Sequence, residues 1–163
     1  MSKHDLELVE LTNMCMIQDL STNKVLVQVR NKNDWDGISF PGGHVELGEP
    51  IVQSVIREVQ EETGLIIDNL KPCGLKDWYD FKKQKRYIVF FYKTSTYTGE
   101  LIPSSHEGQN KWMTVEEIIN SDLIASDFLE MLNIFTGEDN YTEFYYEDNK
   151  DIDEKKRWLK KFY

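Results

Sequence analysis

Glu58, Glu61 and Glu62 stand at positions i, i+3 and i+4 of a segment, Pro50 to Thr63, whose apolar residues Ile51, Val52, Val55, Ile56 and Val59 recur at helical spacing. On a wheel turning about 100° per residue, with Ile51 at zero, those apolar positions span roughly 0° to 140°. Gln60, Gln53 and Arg57 fall at roughly 180° to 240°, the wet face. Glu61, Glu58 and Glu62 fall near 280°, about 340° and about 20°. The three carboxylates therefore form one stripe along an edge of the apolar face, with Glu62 inside its border. Like charges at this spacing repel, and an anion at the rim of a core loses hydration. A solubilising role would put them on the far side. A hard divalent cation between them explains the stripe, because Mg²⁺ takes oxygen ligands and is held by a few carboxylates, water and substrate phosphates. Arg57, just before Glu58, is placed to orient a carboxylate by hydrogen bonding.

The elements that must position this stripe follow from the flanking residues. Pro50 suits the first position of a helix and Gly64 the left-handed residue past its end. Immediately upstream, Pro41-Gly42-Gly43-His44-Val45-Glu46-Leu47-Gly48-Glu49 is a glycine loop, and such a loop before a helix lets backbone groups approach a phosphate closely. Leu6 to Gln18 and Val25 to Val29 read as a hairpin across a turn at Leu20–Lys24, followed by a polar loop from Asn31 to Gly37. Two further strands are expected around Cys73–Asp80 and Arg86–Lys93, joined by the basic turn 81–85, and a short strand at Lys111–Met113. Thr114 with Glu117 is a capping-box pattern opening a helix, and Ala125 to Phe135 is a second helix. From Gly137 the composition turns acidic and aromatic and then basic, which reads as an appendage carrying a short amphipathic helix. The expected organisation is a domain over residues 1–136 with an extension over 137–163 packed on it.

From Gly43 to Leu65 the chain carries Gly, five residues, Glu49, seven residues, then Arg57-Glu58-Val59-Gln60-Glu61-Glu62-Thr63-Gly64-Leu65. This resembles the Nudix box, G-x5-E-x7-R-E-U-x-E-E-x-G-U with U bulky and aliphatic, at every fixed position. The resemblance implies an α/β (α+β) Nudix fold, a mixed β-sheet core between helices, over about residues 5–136. It implies a Mg²⁺- or Mn²⁺-dependent hydrolase of nucleoside diphosphate-linked compounds. Glu58, Glu61 and Glu62 would ligate the metal together with the Gly42 carbonyl. Arg57 would orient Glu58, and Glu58 would double as the base that activates water. Gly43, Glu49 and Gly64 would support the box.

Phe40-Pro41-Gly42-Gly43 leading into the box, and Glu107-Gly108-Gln109 before Trp112-Met113, are similar to the MutT-like branch, which clears oxidised purine nucleoside triphosphates such as 8-oxo-dGTP. By that resemblance Glu107 supplies a further catalytic or metal-binding carboxylate, and Arg86 lies on the strand of the base pocket. Asp127 falls near a base-reading amide of that branch, as a carboxylate instead, and a carboxylate accepts two hydrogen bonds from a purine edge with adjacent N–H groups. Arg30 is a candidate phosphate contact, and one of Trp35, Phe40 and Trp78 a base-stacking ring. His44 and His106 read as bystanders beside an oxygen-loving metal. The alternatives are another nucleoside-diphosphate substrate, such as ADP-ribose or a dinucleoside polyphosphate, and a non-catalytic nucleotide-binding module. The intact carboxylates argue against the module. Tyr79 lies where dinucleoside polyphosphate hydrolases carry a tyrosine, but reads as a core aromatic.

Nineteen Lys and Arg against 29 Asp and Glu leave a net charge of −10 over 163 residues. An acidic surface suits neither a nucleic acid polymer nor an anionic membrane; the resemblance implies a nucleotide as the partner, and a monomer or homodimer is expected. The longest apolar run, Tyr87 to Tyr92, is far short of the roughly 20 residues that cross a bilayer. Cys15 and Cys73 have no CxxC spacing and read as free thiols. With no signal-peptide core near Met1, a cytoplasmic protein is expected.

Overall fold

The computed structural model describes residues 6–32, 35–124, 127–138, 140–148 and 158–163, without the side chains of 31, 32, 35 and 36. Its elements are β1 (Leu8–Asp19), β2 (Lys24–Lys32), β3 (Trp35–Ser39), α1 (Ile51–Thr63), β4 (Ile66–Asp68), β5 (Lys71–Asp80), β6 (Lys85–Thr94) and β7 (Thr96–Thr98). They are followed by β8 (Gln109–Met113), α2 (Val115–Ile119), α3 (Phe128–Thr136), β9 (Glu143–Asp148) and β10 (Trp158–Phe162). The main sheet runs β10-β9-β5-β6-β1-β2-β3, with β8 also paired to β2, and β4 and β7 form a separate small ribbon. β1 and β6 run parallel, as do β5 and β9, while the other pairs are antiparallel. This is the mixed sheet expected of a Nudix fold.

Alternation along the strands builds a core on each face. Cys15, Ile17 and Leu26 pack with Val55 and Val59 of α1 on one side. On the other, Met16, Val25, Val27 and Phe91 pack with Phe128, Met131, Leu132 and Phe135 of α3. Among the described residues no helix is long and apolar enough to cross a membrane.

Two regions differ from the sequence expectation. Of the expected loop 31–37, residues 31–32 belong to β2 and 35–37 to β3, which pairs with β2 from Gln28↔Ser39 to Lys32↔Trp35, while 33–34 lie outside the described residues; cross-strand pairing outweighs the low strand propensity of Asn31 and Asp36. The terminal amphipathic helix is absent where the structure describes it. Residues 158–162 are a strand paired with β9, and β9 in turn joins the sheet beside β5. Phe144, fully buried, and Phe162, stacked on it at 5.0 Å, make strand the better solution, since they fill the core only on a pleated surface.

β1 and β2 pair only at Gln18↔Val25 and Asp19↔Lys24. Beyond that point they part, and the glycine loop enters the gap. Asn13 and Cys15 donate backbone N–H groups to the carbonyls of Gly43 and Pro41, and Val45 donates to Leu11. The loop is thereby sewn to β1 just before α1 begins.

Candidate active site

Helix α1 is capped at Gly64, in the left-handed conformation (φ 75°) with its N–H on the Gln60 carbonyl. Its buried residues are Ser54, Val55, Val59, Glu62 and Thr63, while Val52 is 41 % exposed. The buried stripe is therefore rotated toward the carboxylates relative to the wheel, and Glu62 lies within the core boundary at 4 % exposure.

Arg57 ties the loop to the helix. Its Nε and Nη2 donate to both oxygens of Glu49 at 2.9 and 3.0 Å, its Nη1 to Glu58 at 2.8 Å and Glu61 at 3.2 Å, and its Nη2 to the His44 carbonyl at 2.9 Å. The guanidinium holds the Glu49 carboxyl at a pKa of about 2, and the Arg57 pKa is itself raised. Glu58 lies directly over Gly43, where an added Cβ would stand 2.5 Å from its carboxylate. At Gly42 the close neighbour is backbone, with a Cβ 2.2 Å from the Asn13 carbonyl oxygen, and the Gly42 N–H donates to Glu62 Oε2 at 3.0 Å. Burial pushes the Glu62 pKa up to about 7; nearby Glu107 and Glu58 add to the rise, and the Gly42 N–H opposes it.

Glu107, on the 103–109 loop, is paired with Arg30 of β2 and lies 3.2 Å from His106 Nε2. A cleft of about 410 Å³ runs along this loop, lined by Val29, Ser104, Ser105, His106, Glu107 and Gly108. The structure thus brings Glu58, Glu61, Glu62, Glu107, Arg30, Arg57 and Gly42 into one neighbourhood. Asn13, Ser54 and Asn110 join them without having been foreseen. Asn110 Nδ2 donates to the Glu62 and Ile102 carbonyls at 2.8 and 3.0 Å, and Asn13 Nδ2 to Ser54 Oγ at 2.9 Å. On the wheel Ser54 falls near 300°, between Glu61 and Glu58, so its site position was readable; Asn110 is 48 residues from Glu62 and had no local signal.

The expectation that Phe40 is among the base-contacting rings is corrected; Arg86, Asp127 and Trp78 are placed as follows. Phe40 is not a surface ring: it is 2 % exposed and packs 5.0 Å from both Phe128 and Phe135. Arg86 stands apart from the carboxylates, held by Asp77 at 2.6 Å and Glu7 at 3.1 Å. Asp127 opens α3, bound to Lys76 Nζ at 2.7 Å. Trp78 lies stacked on Tyr87 at 4.8 Å. The Trp35 side chain is outside the described residues. Of the basic turn, Lys85 pairs with Glu10 and Lys83 reaches the Tyr87 hydroxyl at 3.1 Å. His44 is paired with Glu10 at 2.7 Å.

The donor set suits a hard cation, since it consists of carboxylates and a backbone carbonyl. Glu62 is buried with no ion pair among the described residues, while Asn13 Oδ1, Asn110 Oδ1 and Arg30 Nε are buried there without partners. Such orphaned groups mark a place completed by a polar ligand. As arranged, Arg57 and Arg30 hold Glu58, Glu61 and Glu107, and among the described residues no three carboxylates converge on one point.

Residues 12–133, about three quarters of the chain, match the NUDIX domain family. The uncharacterized Nudix hydrolase YvcI of Bacillus subtilis is 33 % identical over 125 residues, covering 74 % of this chain and 75 % of that protein. The oxidized purine nucleoside triphosphate hydrolase of Danio rerio is 32 % identical over 95 residues, 58 % of each chain. Among solved structures, the MutT protein from Bacillus halodurans superposes with a TM-score of 0.71 at 22 % identity, covering 94 % of this chain and 97 % of that one. With the box geometry these matches establish that the chain belongs to the Nudix family and is a Nudix hydrolase of MutT-like fold.

Proposed function

We propose that this protein hydrolyses a purine nucleoside triphosphate, oxidised forms included, to the nucleoside monophosphate and pyrophosphate with Mg²⁺ or Mn²⁺. The observation that carries the reading is Glu62: a carboxylate 4 % exposed, beside Glu58 and Glu107 and without an ion pair among the described residues. Glu58, Glu61, Glu62, Glu107 and the Gly42 carbonyl are the groups that would hold the ion. When bound, it neutralises phosphate oxygens and acidifies water. Arg57 fixes Glu58 by one oxygen, leaving the other to take the proton of the attacking water. Arg30, beside Glu107, is placed to meet a phosphate oxygen. Asp127, at the start of α3, is assigned to the base edge. The similarity to an oxidized purine nucleoside triphosphate hydrolase supports this substrate class.

The test is a substrate panel of ordinary and oxidised dNTPs, ADP-ribose and dinucleoside polyphosphates, with products identified and turnover ranked by kcat/KM. Oxidised or ordinary purine dNTPs should lead, releasing pyrophosphate, and chelator should abolish turnover. ADP-ribose or a dinucleoside polyphosphate in first place would replace the substrate assignment. Chelator-resistant turnover would remove the metal, and tight binding with no turnover would favour a sensor.

A further inference from the structure

Asn13 and Ser54 are polar residues at a place where apolar ones would pack. Asn13 shares the α1-facing side of β1 with Cys15 and Ile17 and is 3 % exposed, and Ser54 of α1 is wholly buried beside Val55. Asn is a poor strand residue, and a buried polar pair loses hydration. Asn13 Oδ1 is also without a partner among the described residues. Replacing both members of such a pair by apolar groups of the same shape is close to neutral or stabilising. Stability alone therefore does not explain the pair.

Its contacts reach the catalytic carboxylates. The Ser54 hydroxyl accepts from Asn13 Nδ2 at 2.9 Å and from Arg57 Nη2 at 3.4 Å, and donates to the His44 carbonyl at 3.1 Å. Its one proton and both lone pairs are thus in use. The His44 carbonyl also receives Arg57 Nη2 at 2.9 Å, and the Asn13 N–H is given to the Gly43 carbonyl at 2.9 Å. Strand, glycine loop and helix meet at one hydroxyl, beside the guanidinium whose Nη1 holds Glu58 at 2.8 Å. Glu49 grips another edge of that guanidinium but belongs to the loop, whereas β1 is anchored by ten register pairs with β6.

We propose that Asn13 and Ser54 are positioning residues for the hydrolytic step: through the Ser54 hydroxyl and the His44 carbonyl they fix the Arg57 guanidinium to β1, and so hold Glu58 in the orientation that meets the attacking water. This rests on the reading of Glu58 as the base given above. A misplacement of about 1 Å at a reacting group costs on the order of 100-fold in rate, which is the advantage that a buried polar pair confers here.

The experiment compares Ser54→Ala with the double variant Asn13→Val/Ser54→Ala by thermal denaturation, by steady-state kinetics on dGTP with Mg²⁺, and by nuclear magnetic resonance of the Arg57 Nε–H in ¹⁵N-labelled protein, assigned by its loss in Arg57→Lys. Ser54→Ala leaves the Asn13 amide unpaired and should lower Tm by roughly 5 °C. The double variant, with no polar group left over, should return to within about 2 °C of the wild type. Its kcat should nonetheless stay at least about tenfold low with KM within about twofold, and its Arg57 Nε–H should exchange at least about tenfold faster than in the wild type. A double variant that regains kcat together with Tm, that keeps the wild-type Nε–H exchange, or that does not fold would each overturn the proposal. A wild type that cleaves no triphosphate would sink the substrate reading, and the Arg57 exchange rates would still decide this one.

Discussion

Glu62 is under two opposing demands. The fold buries it, and the proposed chemistry needs its charge. Its folded pKa of about 7 lies above its ordinary value of 4.5, chiefly because of burial. The folded state therefore holds the proton more tightly than the unfolded chain between those values. Stability from this group is greatest in acid and falls as pH rises through that window, by on the order of 3 kcal/mol once fully ionised. In chelator, urea unfolding should therefore give a less stable protein at about pH 8.5 than at about pH 5.5. Glu62→Gln removes the titrating group and should flatten that difference, while turnover with Mg²⁺ drops by at least about 100-fold, the scale of losing a group that acts in the transition state. Full activity in Glu62→Gln would reject its role at the metal. An unchanged pH dependence of stability would reject the burial argument.

At the scale of elements, the site depends on how closely the glycine loop and α1 approach. The two glycines of the loop should fail differently. At Gly43 the three atoms nearest an added Cβ all belong to the end of the Glu58 side chain, which swings away at little cost to the fold. Gly43→Ala should keep its Tm within a few degrees while kcat falls about tenfold or more, because small misplacements of a reacting group are costly. At Gly42 the Cβ meets the Asn13 carbonyl, and neither strand nor loop can yield. Gly42→Ala should unfold several degrees lower, by about 2 kcal/mol or more, in line with overpacking and backbone strain. Equal Tm losses at the two positions, read by thermal denaturation, would count against this division. The loop–helix unit was legible in the sequence because its signals are local: Gly43, Glu49, Arg57 and Gly64 act within one turn-and-helix. The rotation of α1 that buries Glu62 and Ser54 was less so, since the wheel weighs only the helix's own apolar residues, and Asn110 fixes the helix end from a distant strand. Phe40 misled for the same reason: its partners Phe128 and Phe135 are set by tertiary packing.

At the scale of the whole molecule, the region after Gly137 acts as part of the sheet. β9 lies parallel to β5, and its Phe144 is wholly buried among Met131, Ile134 and Phe135 of α3. Thr142 donates its N–H to the carbonyl of Tyr163, so the far end of β10 is fastened to the start of β9. The aromatic residues that looked like an appendage's composition are thus one side of the main core, and they also wall in Lys76. Phe144→Ala should remove that packing and leave a cavity, lowering stability by about 3–5 kcal/mol, which in a chain of this size shifts Tm by roughly 10 °C. Trp158→Ala, on the outer strand and 39 % exposed, should cost about 1 kcal/mol or less. Urea denaturation separates the outcomes. A single cooperative transition, moved to lower denaturant by Phe144→Ala, means that hairpin and domain unfold as one unit. An early transition of small amplitude, with the main one unmoved, would mean that the hairpin melts on its own. The Lys76–Asp127 ion pair would then lose the Phe144 and Tyr146 rings beside it before the catalytic loop unfolds.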